Sequence, residues 1–193
     1  MLGDVDADGV ADLVTADDTS LSAYPGDASG DFGWRVPTPL DARPRSSFLA
    51  DVDTDGFIDV VIETWAGRYG NGSIPYETLS HVSVLRGSGD GSFGMPERIE
   101  GLESSSIADG DIDGDGLIDF AALAYEPARI EVYTGDGQGG FQSTAGFEIG
   151  GRAGELFLLD ADGDAFPDAV GVNSTKNAPR FVTVSIAGAC LLP

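Results

Sequence analysis

Cysteine, histidine and basic residues are scarce in this chain of 193 residues, which contains one cysteine, Cys190, and one histidine, His81. A single cysteine excludes an intramolecular disulfide and a thiolate metal cluster. No hydrophobic run approaches the roughly 20 residues that a membrane-spanning helix needs, so we expect a soluble protein. The opening MLGDVDADG shows no basic segment followed by an apolar stretch, and thus no signal peptide pattern.

Acidic residues are abundant: 33 Asp and Glu stand against 10 Lys and Arg, which gives a formal charge of -23. This balance argues against a nucleic-acid partner bound through its phosphates. An acidic excess also indicates disorder in chains of low hydrophobicity, but 41% of these residues are hydrophobic. With 28 Gly and 10 Pro, turns must be frequent, which favours many short strands over long helices.

One aspartate-rich motif of nine residues, called the aspartate loop below, occurs four times. The copies are DVDADGVAD at 4–12, DVDTDGFID at 51–59, DIDGDGLID at 111–119 and DADGDAFPD at 160–168. Their starts are separated by 47, 60 and 49 residues, a spacing typical of repeat architectures. We therefore predict a single repeat domain over 1–193. Its repeats span about 1–40, 41–100, 101–150 and 151–193, the first and last being incomplete.

Strand patterns recur within each repeat. A short apolar stretch follows each aspartate loop, and an alternating run comes later, as in HVSVLRG, RIEVYTG and FVTVSIAG. Glycine-rich turns follow three of the alternating runs, and a further strand is expected to leave from Phe32, Phe93 and Phe141. One more apolar stretch precedes loops two to four. The sequence thus predicts an all-β fold of β-propeller blades, about four in number, each with about four antiparallel strands.

The repeats are cut unevenly at the two ends. The sequence predicts that the first repeat lacks its first strand and the fourth its last, so roughly 14 strands are expected. We predict an incomplete arc of a larger propeller, with neighbouring blades outside this chain. A closed ring in which the two ends share one blade is the alternative. An open arc leaves apolar blade faces uncovered, so we expect the isolated chain to self-associate.

The aspartate loops have the chemistry of a cation site. Carboxylates at positions 1, 3 and 5 of a tightly turning loop point inward, where a hard cation holds them together. A fourth aspartate at position 9 and the carbonyl at position 7 give an all-oxygen set, which favours Ca²⁺ over Zn²⁺, copper or Mg²⁺. The predicted ligands are Asp4, Asp6, Asp8, Val10 and Asp12; Asp51, Asp53, Asp55, Phe57 and Asp59; Asp111, Asp113, Asp115, Leu117 and Asp119; and Asp160, Asp162, Asp164, Phe166 and Asp168.

Two other calcium motifs are rejected. The EF-hand needs a Glu at position 12 and flanking helices, whereas position 12 here is Thr15, Ile62, Ala122 or Gly171 and the flanks are predicted strands. Thrombospondin-type repeats form a dense, cysteine-stapled array, which one cysteine and a spacing near 50 residues exclude.

The four loops, together with G-x-G-x-F-like turns of which GSGDGSFG at 87–94 is the clearest, resemble the FG-GAP family. This family, also called VCBS repeats, is known from the integrin α-subunit propeller and from secreted bacterial proteins. The resemblance implies a β-propeller that binds up to four Ca²⁺, one per loop, usually extracellular or on the cell surface and usually non-catalytic. The fourth loop departs from the pattern because Ala165 replaces glycine and Pro167 follows two residues later. At positive φ this alanine would cost roughly 1 kcal/mol, so we expect the weakest site there.

The leading functional hypothesis is a non-enzymatic interaction or adhesion module in which calcium rigidifies the blades for a protein or carbohydrate partner. The alternative is a non-catalytic propeller segment of a larger secreted enzyme. A metal-dependent hydrolase is disfavoured because no general base recurs across the repeats. The second repeat contains an insertion, WAGRYGNGSIPYET, with residue types common at recognition hot spots: Trp65, Arg68, Tyr69 and Tyr76. A tolerated surface insertion is the other interpretation, and His81 is predicted to be an ordinary surface histidine.

Overall fold

The computed structural model describes residues 1–66, 79–100, 102, 104, 106–124, 129–149, 153–173 and 181–184. Across these residues the regular structure is entirely β-strand, which confirms the all-β prediction. No helix in the described residues is long and apolar enough to span a membrane. The chain divides into two compact units, residues 1–101 and 102–193.

The first unit contains two four-stranded antiparallel sheets, and in each the strands lie side by side in chain order. The first sheet comprises β1 (Leu2–Gly3), β2 (Asp12–Ala16), β3 (Ser20–Tyr24) and β4 (Val36–Pro39). The second sheet comprises β5 (Arg43–Ala50), β6 (Asp59–Ala66), β7 (Leu79–Leu85) and β8 (Glu97–Arg98). Sequential antiparallel strands of this number are the make-up of a propeller blade.

The second unit repeats the arrangement. Its four-stranded sheet comprises β9 (Ile107–Gly110), β10 (Asp119–Ala124), β11 (Arg129–Gly135) and β12 (Phe141–Glu148). Its other sheet has three strands among the described residues, β13 (Ala153–Leu159), β14 (Asp168–Asn173) and β15 (Phe181–Val184). In every sheet the second strand begins at position 9 of an aspartate loop, so the loop connects the first strand to the second.

Adjacent sheets pack together through aliphatic side chains within each unit. In the first unit, Val14 and Leu21 of the first sheet share a core with Val60, Ile62 and Leu85 of the second. Each of these is at most 1% exposed, and full burial of such a side chain stabilises the fold by about 1.5–3 kcal/mol. This packing is the kind expected between neighbouring blades.

The second unit has a core of the same kind. Ala121, Ile130 and Val132 of its four-stranded sheet pack with Leu156 and Ala169 of the three-stranded sheet. Every residue of β10 is buried, which explains why its sequence reads as a continuous apolar run after the initial aspartate. The third aspartate loop therefore leads directly into a fully buried central strand.

The strand boundaries differ from the sequence prediction in two places. Leu2 and Gly3 form a first strand that pairs with Leu13 and Asp12, so 15 strands are present among the described residues. Two residues are too few to give a recognisable strand pattern. β4 and β8 begin after Phe32 and Phe93, each of which makes only an isolated bridge.

Two further predictions concern His81 and the insertion in the second repeat. His81 is not a surface residue, because its side chain is 12% exposed at the centre of β7. Burial, followed by the charge of Arg98, lowers the pKa of its imidazole. Of the four residues singled out in the recognition insertion, Trp65 lies within the described residues, while Arg68, Tyr69 and Tyr76 lie outside them. Cys190 also lies outside the described residues.

Candidate metal centres

Each aspartate loop is bent by two residues in the left-handed region. Position 6 has φ between 74° and 91° in all four loops, and this includes Ala165 at 74°, as its place in the motif predicted. Position 4 is also left-handed, a feature that the sequence did not indicate. It is occupied by Ala7, Thr54, Gly114 and Gly163. Every loop except the third thus contains one non-glycine residue in a conformation that costs free energy.

Backbone N–H groups hold the loop carboxylates in place. In the second loop, Gly56 donates to Asp51 Oδ2 at 3.0 Å, Asp55 donates to Asp53 Oδ1 at 3.2 Å, and Phe57 donates to Asp55 Oδ1 at 2.8 Å. The same three bonds recur in the other loops. The bonds from position 6 to position 1, for example, are Gly9 to Asp4, Gly116 to Asp111 and Ala165 to Asp160.

This arrangement brings the predicted ligands together. In every loop three carboxylates place oxygen atoms within 4.8 Å of one another. Positions 1 and 3 belong to each cluster, and the third member comes from position 5 in the first and third loops and from position 9 in the second and fourth. The clusters are Asp4, Asp6, Asp8; Asp51, Asp53, Asp59; Asp111, Asp113, Asp115; and Asp160, Asp162, Asp168. Such a set of oxygen donors fits a hard cation such as Ca²⁺.

The negative charges within a loop oppose one another. Burial and then the charges of Asp12 and Asp8 raise the pKa of Asp6. Burial also raises the pKa of Asp59 and Asp119, although each accepts backbone hydrogen bonds. Ionisation of these groups is therefore less favourable than in water, and a bound divalent cation would favour the charged carboxylates.

Position 9 has a second role that the sequence did not reveal. Asp59 is fully buried, and its Oδ2 accepts from Val52 N–H at 3.0 Å while Oδ1 accepts from Gly87 N–H at 2.7 Å. The aspartate thereby links its own loop to the turn that follows β7. Asp12 does the same with Val5 and Gly26, and Asp119 with Ile112 and Gly135. In each of these aspartates Oδ1 accepts the bond from the turn glycine and has a second lone pair, so the bonds are compatible with metal ligation.

Only glycine fits at the turn position whose N–H donates to the position-9 aspartate. A Cβ atom at Gly87 would lie 2.2 Å from the carbonyl oxygen of Ile58, at position 8 of the loop. The corresponding distance is 2.3 Å at both Gly26 and Gly135. The first glycine of each glycine-rich turn is thus explained by close packing against the aspartate loop. Its recurrence at the same place in three turns was the available sequence signal.

The residues at position 7 lie inside the loops. Their N–H groups donate to the carboxylate at position 5, at 2.8 to 2.9 Å. The use of their carbonyl groups as ligands stays a prediction for all four, which are Val10, Phe57, Leu117 and Phe166. Two of the side chains also pack on glycine, since a Cβ at Gly89 would lie 2.2 Å from the Phe57 ring and one at Gly114 would lie 2.7 Å from the Phe166 ring.

The second loop also contacts a basic side chain. Nη1 of Arg86, the residue after β7, pairs directly with Oδ2 of Asp53. Its Nε lies 3.6 Å from Oε2 of Glu97 on β8. No local sequence pattern indicates this contact, because Arg86 and Asp53 are 33 positions apart in the chain.

Comparisons with known proteins agree with the repeat pattern. A family model described as FG-GAP-like repeat matches residues 4–62 and 111–171, more than half of the chain. Among solved structures, the chain is similar to a Tc holotoxin pore from Photorhabdus luminescens, with TM-score 0.58 and 18% identity over 97% of this chain and 9% of that chain.

A second similar structure is that of an Agrocybe aegerita lectin, whose title describes specific recognition of non-reducing terminal N-acetylglucosamine. The TM-score is 0.58, and the identity is 19% over 89% of this chain and 45% of the lectin chain. At these identities the likeness shows the fold alone, and this chain spans less than half the length of either neighbour. No curated protein sequence matches it.

Proposed function

Since the chain belongs to the FG-GAP-like repeat family, we propose that it is a non-catalytic interaction module whose four aspartate loops bind calcium. The observation that carries the proposal is the convergence of three carboxylates within 4.8 Å in every loop. We place the module outside the cell or at its surface, where calcium is abundant enough to fill sites of modest affinity.

The proposed role of calcium is structural. When bound, the ion supplies positive charge that offsets the repulsion among the loop carboxylates. Asp59 connects the loop to the rest of its sheet, because its carboxylate accepts hydrogen bonds from the loop backbone at Val52 and from the turn backbone at Gly87. A loop held rigid by calcium therefore also restrains the turn. Asp12 and Asp119 provide the same connection in their own sheets. Loop, second strand and turn thus become one rigid unit, on which exposed residues are presented to a partner.

Native mass spectrometry at increasing calcium concentration tests the metal sites. We expect up to four ions per chain, and one fewer in the double variant Asp111→Asn/Asp113→Asn, because two of three clustered carboxylates are neutralised. The matched control is Asp27→Asn, an exposed aspartate in a glycine-rich turn outside the clusters, which should leave the stoichiometry unchanged. Absence of bound calcium at millimolar concentration would reject the proposal.

Trp34 is the best candidate for contact with a partner. Its side chain is 94% exposed, directly after the Phe32 bridge that closes the turn between β3 and β4. The next residue, Arg35, is fixed because it donates to Ser20 Oγ at 2.5 Å and to Ser22 Oγ at 2.7 Å. An exposed tryptophan on an anchored segment offers a large contact surface at low entropic cost, and tryptophan is enriched at binding hot spots.

We propose a carbohydrate as the partner, supported by Trp34 and by the lectin among the structural neighbours. The test is biolayer interferometry with a carrier protein bearing terminal N-acetylglucosamine, beside a panel of other terminal sugars. Trp34→Ala should weaken binding by about tenfold or more. Met95→Ala is the matched control, since Met95 is 72% exposed at the corresponding place after Phe93 and Gly94. Failure to bind any sugar of the panel would favour a protein partner instead.

A further inference from the structure

The second aspartate loop carries its own counter-charge. The Arg86 guanidinium pairs with Asp53, a member of the carboxylate cluster whose side chain is only 14% exposed. Arg86 itself is 33% exposed, so part of its side chain is covered next to the loop. A guanidinium keeps its positive charge at every pH at which the protein is folded.

This feature distinguishes the second loop from the first and third. Arg86 immediately precedes Gly87, the glycine that donates to Asp59. The residues at the same place are Pro25, before Gly26, and Thr134, before Gly135, and neither carries a charge. Four hydrogen bonds of the second loop recur in the first and third loops: from position 6 to position 1, from position 5 to position 3, from position 7 to position 5, and from the turn glycine to position 9. These two loops therefore serve as internal references.

We propose that Arg86 competes with calcium for Asp53 and makes the second loop fill at a higher calcium concentration than the first and third. This inference rests on calcium as the ion of the aspartate loops. The calcium ion and the Arg86 guanidinium are both attracted to the Asp53 carboxylate and repel each other. Binding of calcium therefore requires the guanidinium to move away from Asp53. In calcium-free protein the guanidinium instead offsets part of the loop charge.

The structure provides a place for the withdrawn guanidinium. Glu97 on β8 lies 3.6 Å from Nε of Arg86, and its side chain is 66% exposed. A small rotation of Arg86 therefore exchanges Asp53 for Glu97 without leaving the positive charge unpaired. Calcium occupancy of the second loop is thereby coupled to β8, the edge strand of the second sheet.

Each loop has an amide that reports on it separately. The N–H groups of Gly9, Gly56 and Gly116 donate to the position-1 carboxylates of the first, second and third loops, at 2.9, 3.0 and 3.1 Å. A calcium titration followed by ¹H–¹⁵N correlation spectra thus gives one midpoint per loop. We expect the Gly56 midpoint at a calcium concentration about fivefold or more above those of Gly9 and Gly116.

Two variants test the role of Arg86. Arg86→Gln should lower the Gly56 midpoint by about the same factor and leave Gly9 and Gly116 unchanged. Thr134→Arg, which introduces the arginine into the third repeat, should raise only the Gly116 midpoint.

An unchanged Gly56 midpoint in Arg86→Gln overturns the inference. If that variant does not fold, an unchanged Gly116 midpoint in Thr134→Arg overturns it. If the three amides have equal calcium midpoints and neither variant shifts them, the loops still bind calcium. That result rejects only the competition between Arg86 and calcium for Asp53. If no amide shifts at millimolar calcium, the calcium proposal itself fails, and this inference fails with it.

Discussion

The backbone N–H of Gly87 donates a 2.7 Å hydrogen bond to Oδ1 of Asp59, 28 residues earlier in the chain. Asp59 is fully buried, so a partner for its carboxylate is required, and loss of one costs about 1–3 kcal/mol. The glycine is equally constrained, because a Cβ would lie 2.2 Å from the Ile58 carbonyl oxygen. This pair joins the second aspartate loop to the turn that follows β7.

Gly87→Ala should destabilise the protein by about 2–4 kcal/mol, since the new methyl group displaces the loop backbone and weakens the bond to Asp59. Urea denaturation in the presence of calcium measures the effect. Gly146→Ala is the control, because Gly146 is exposed on β12 and its nearest neighbouring atom would be 4.0 Å from the new Cβ. Equal stability of the two variants would contradict the packing described here.

Thr54→Gly should stabilise the second loop by roughly 0.5–1 kcal/mol. Thr54 is β-branched and has φ of 60°, a conformation that glycine adopts without steric cost. Thr54→Ala separates the Cβ effect from the hydroxyl, because alanine retains the strained Cβ and should not stabilise. Thermal unfolding of the three proteins at one calcium concentration gives the comparison. A more stable alanine variant than glycine variant would show that strain at this position is unimportant.

Glu63 should make the protein less stable as the pH rises. It is completely buried on β6, neither carboxyl oxygen has a hydrogen-bond partner among the described residues, and burial, opposed by the charge of Arg45, raises its pKa to about 8. The folded protein then holds a proton that the unfolded chain releases near its ordinary pKa of 4.5. The stabilising contribution is thus complete below that value and is lost as pH rises through about 8.

Glu63→Gln should remove this pH dependence, which amounts to roughly 2–4 kcal/mol between about pH 5 and 8. Urea denaturation across that range gives the slope for each protein. The comparison variant is Glu148→Gln, at an exposed position of β12, which should keep the slope of the parent protein. A slope that Glu63→Gln leaves unaltered would show that another group causes it.

Local signals explain what the sequence predicted well. The spacing of the aspartates and the alternating strands are properties of short segments, and they predict the loops, the second and third strands and the converging carboxylates. The contacts of Arg86 with Asp53 and of Gly87 with Asp59 join residues distant in the chain, so no local pattern indicates them. Burial of Glu63 depends in the same way on what covers β6, and the sequence of that strand does not contain this information.

Backbone strain shows a further limit. The sequence indicated a cost at Ala165 because the other loops have glycine at position 6. Position 4 is occupied by Ala, Thr, Gly and Gly in turn, so no common residue marked its left-handed conformation, and Ala7 and Thr54 carry a similar cost. The fourth loop is therefore not alone in bearing strain, and its Gly163 is better suited to position 4 than either of those residues.

Thermal unfolding with and without calcium tests the central claim, that the aspartate loops are structural calcium sites. An ion that binds the folded loops and not the unfolded chain must raise the unfolding temperature. We expect the midpoint in millimolar calcium to exceed that in excess EDTA by about 10 °C or more, with a smaller increase in magnesium. Identical midpoints in calcium and EDTA would contradict the account.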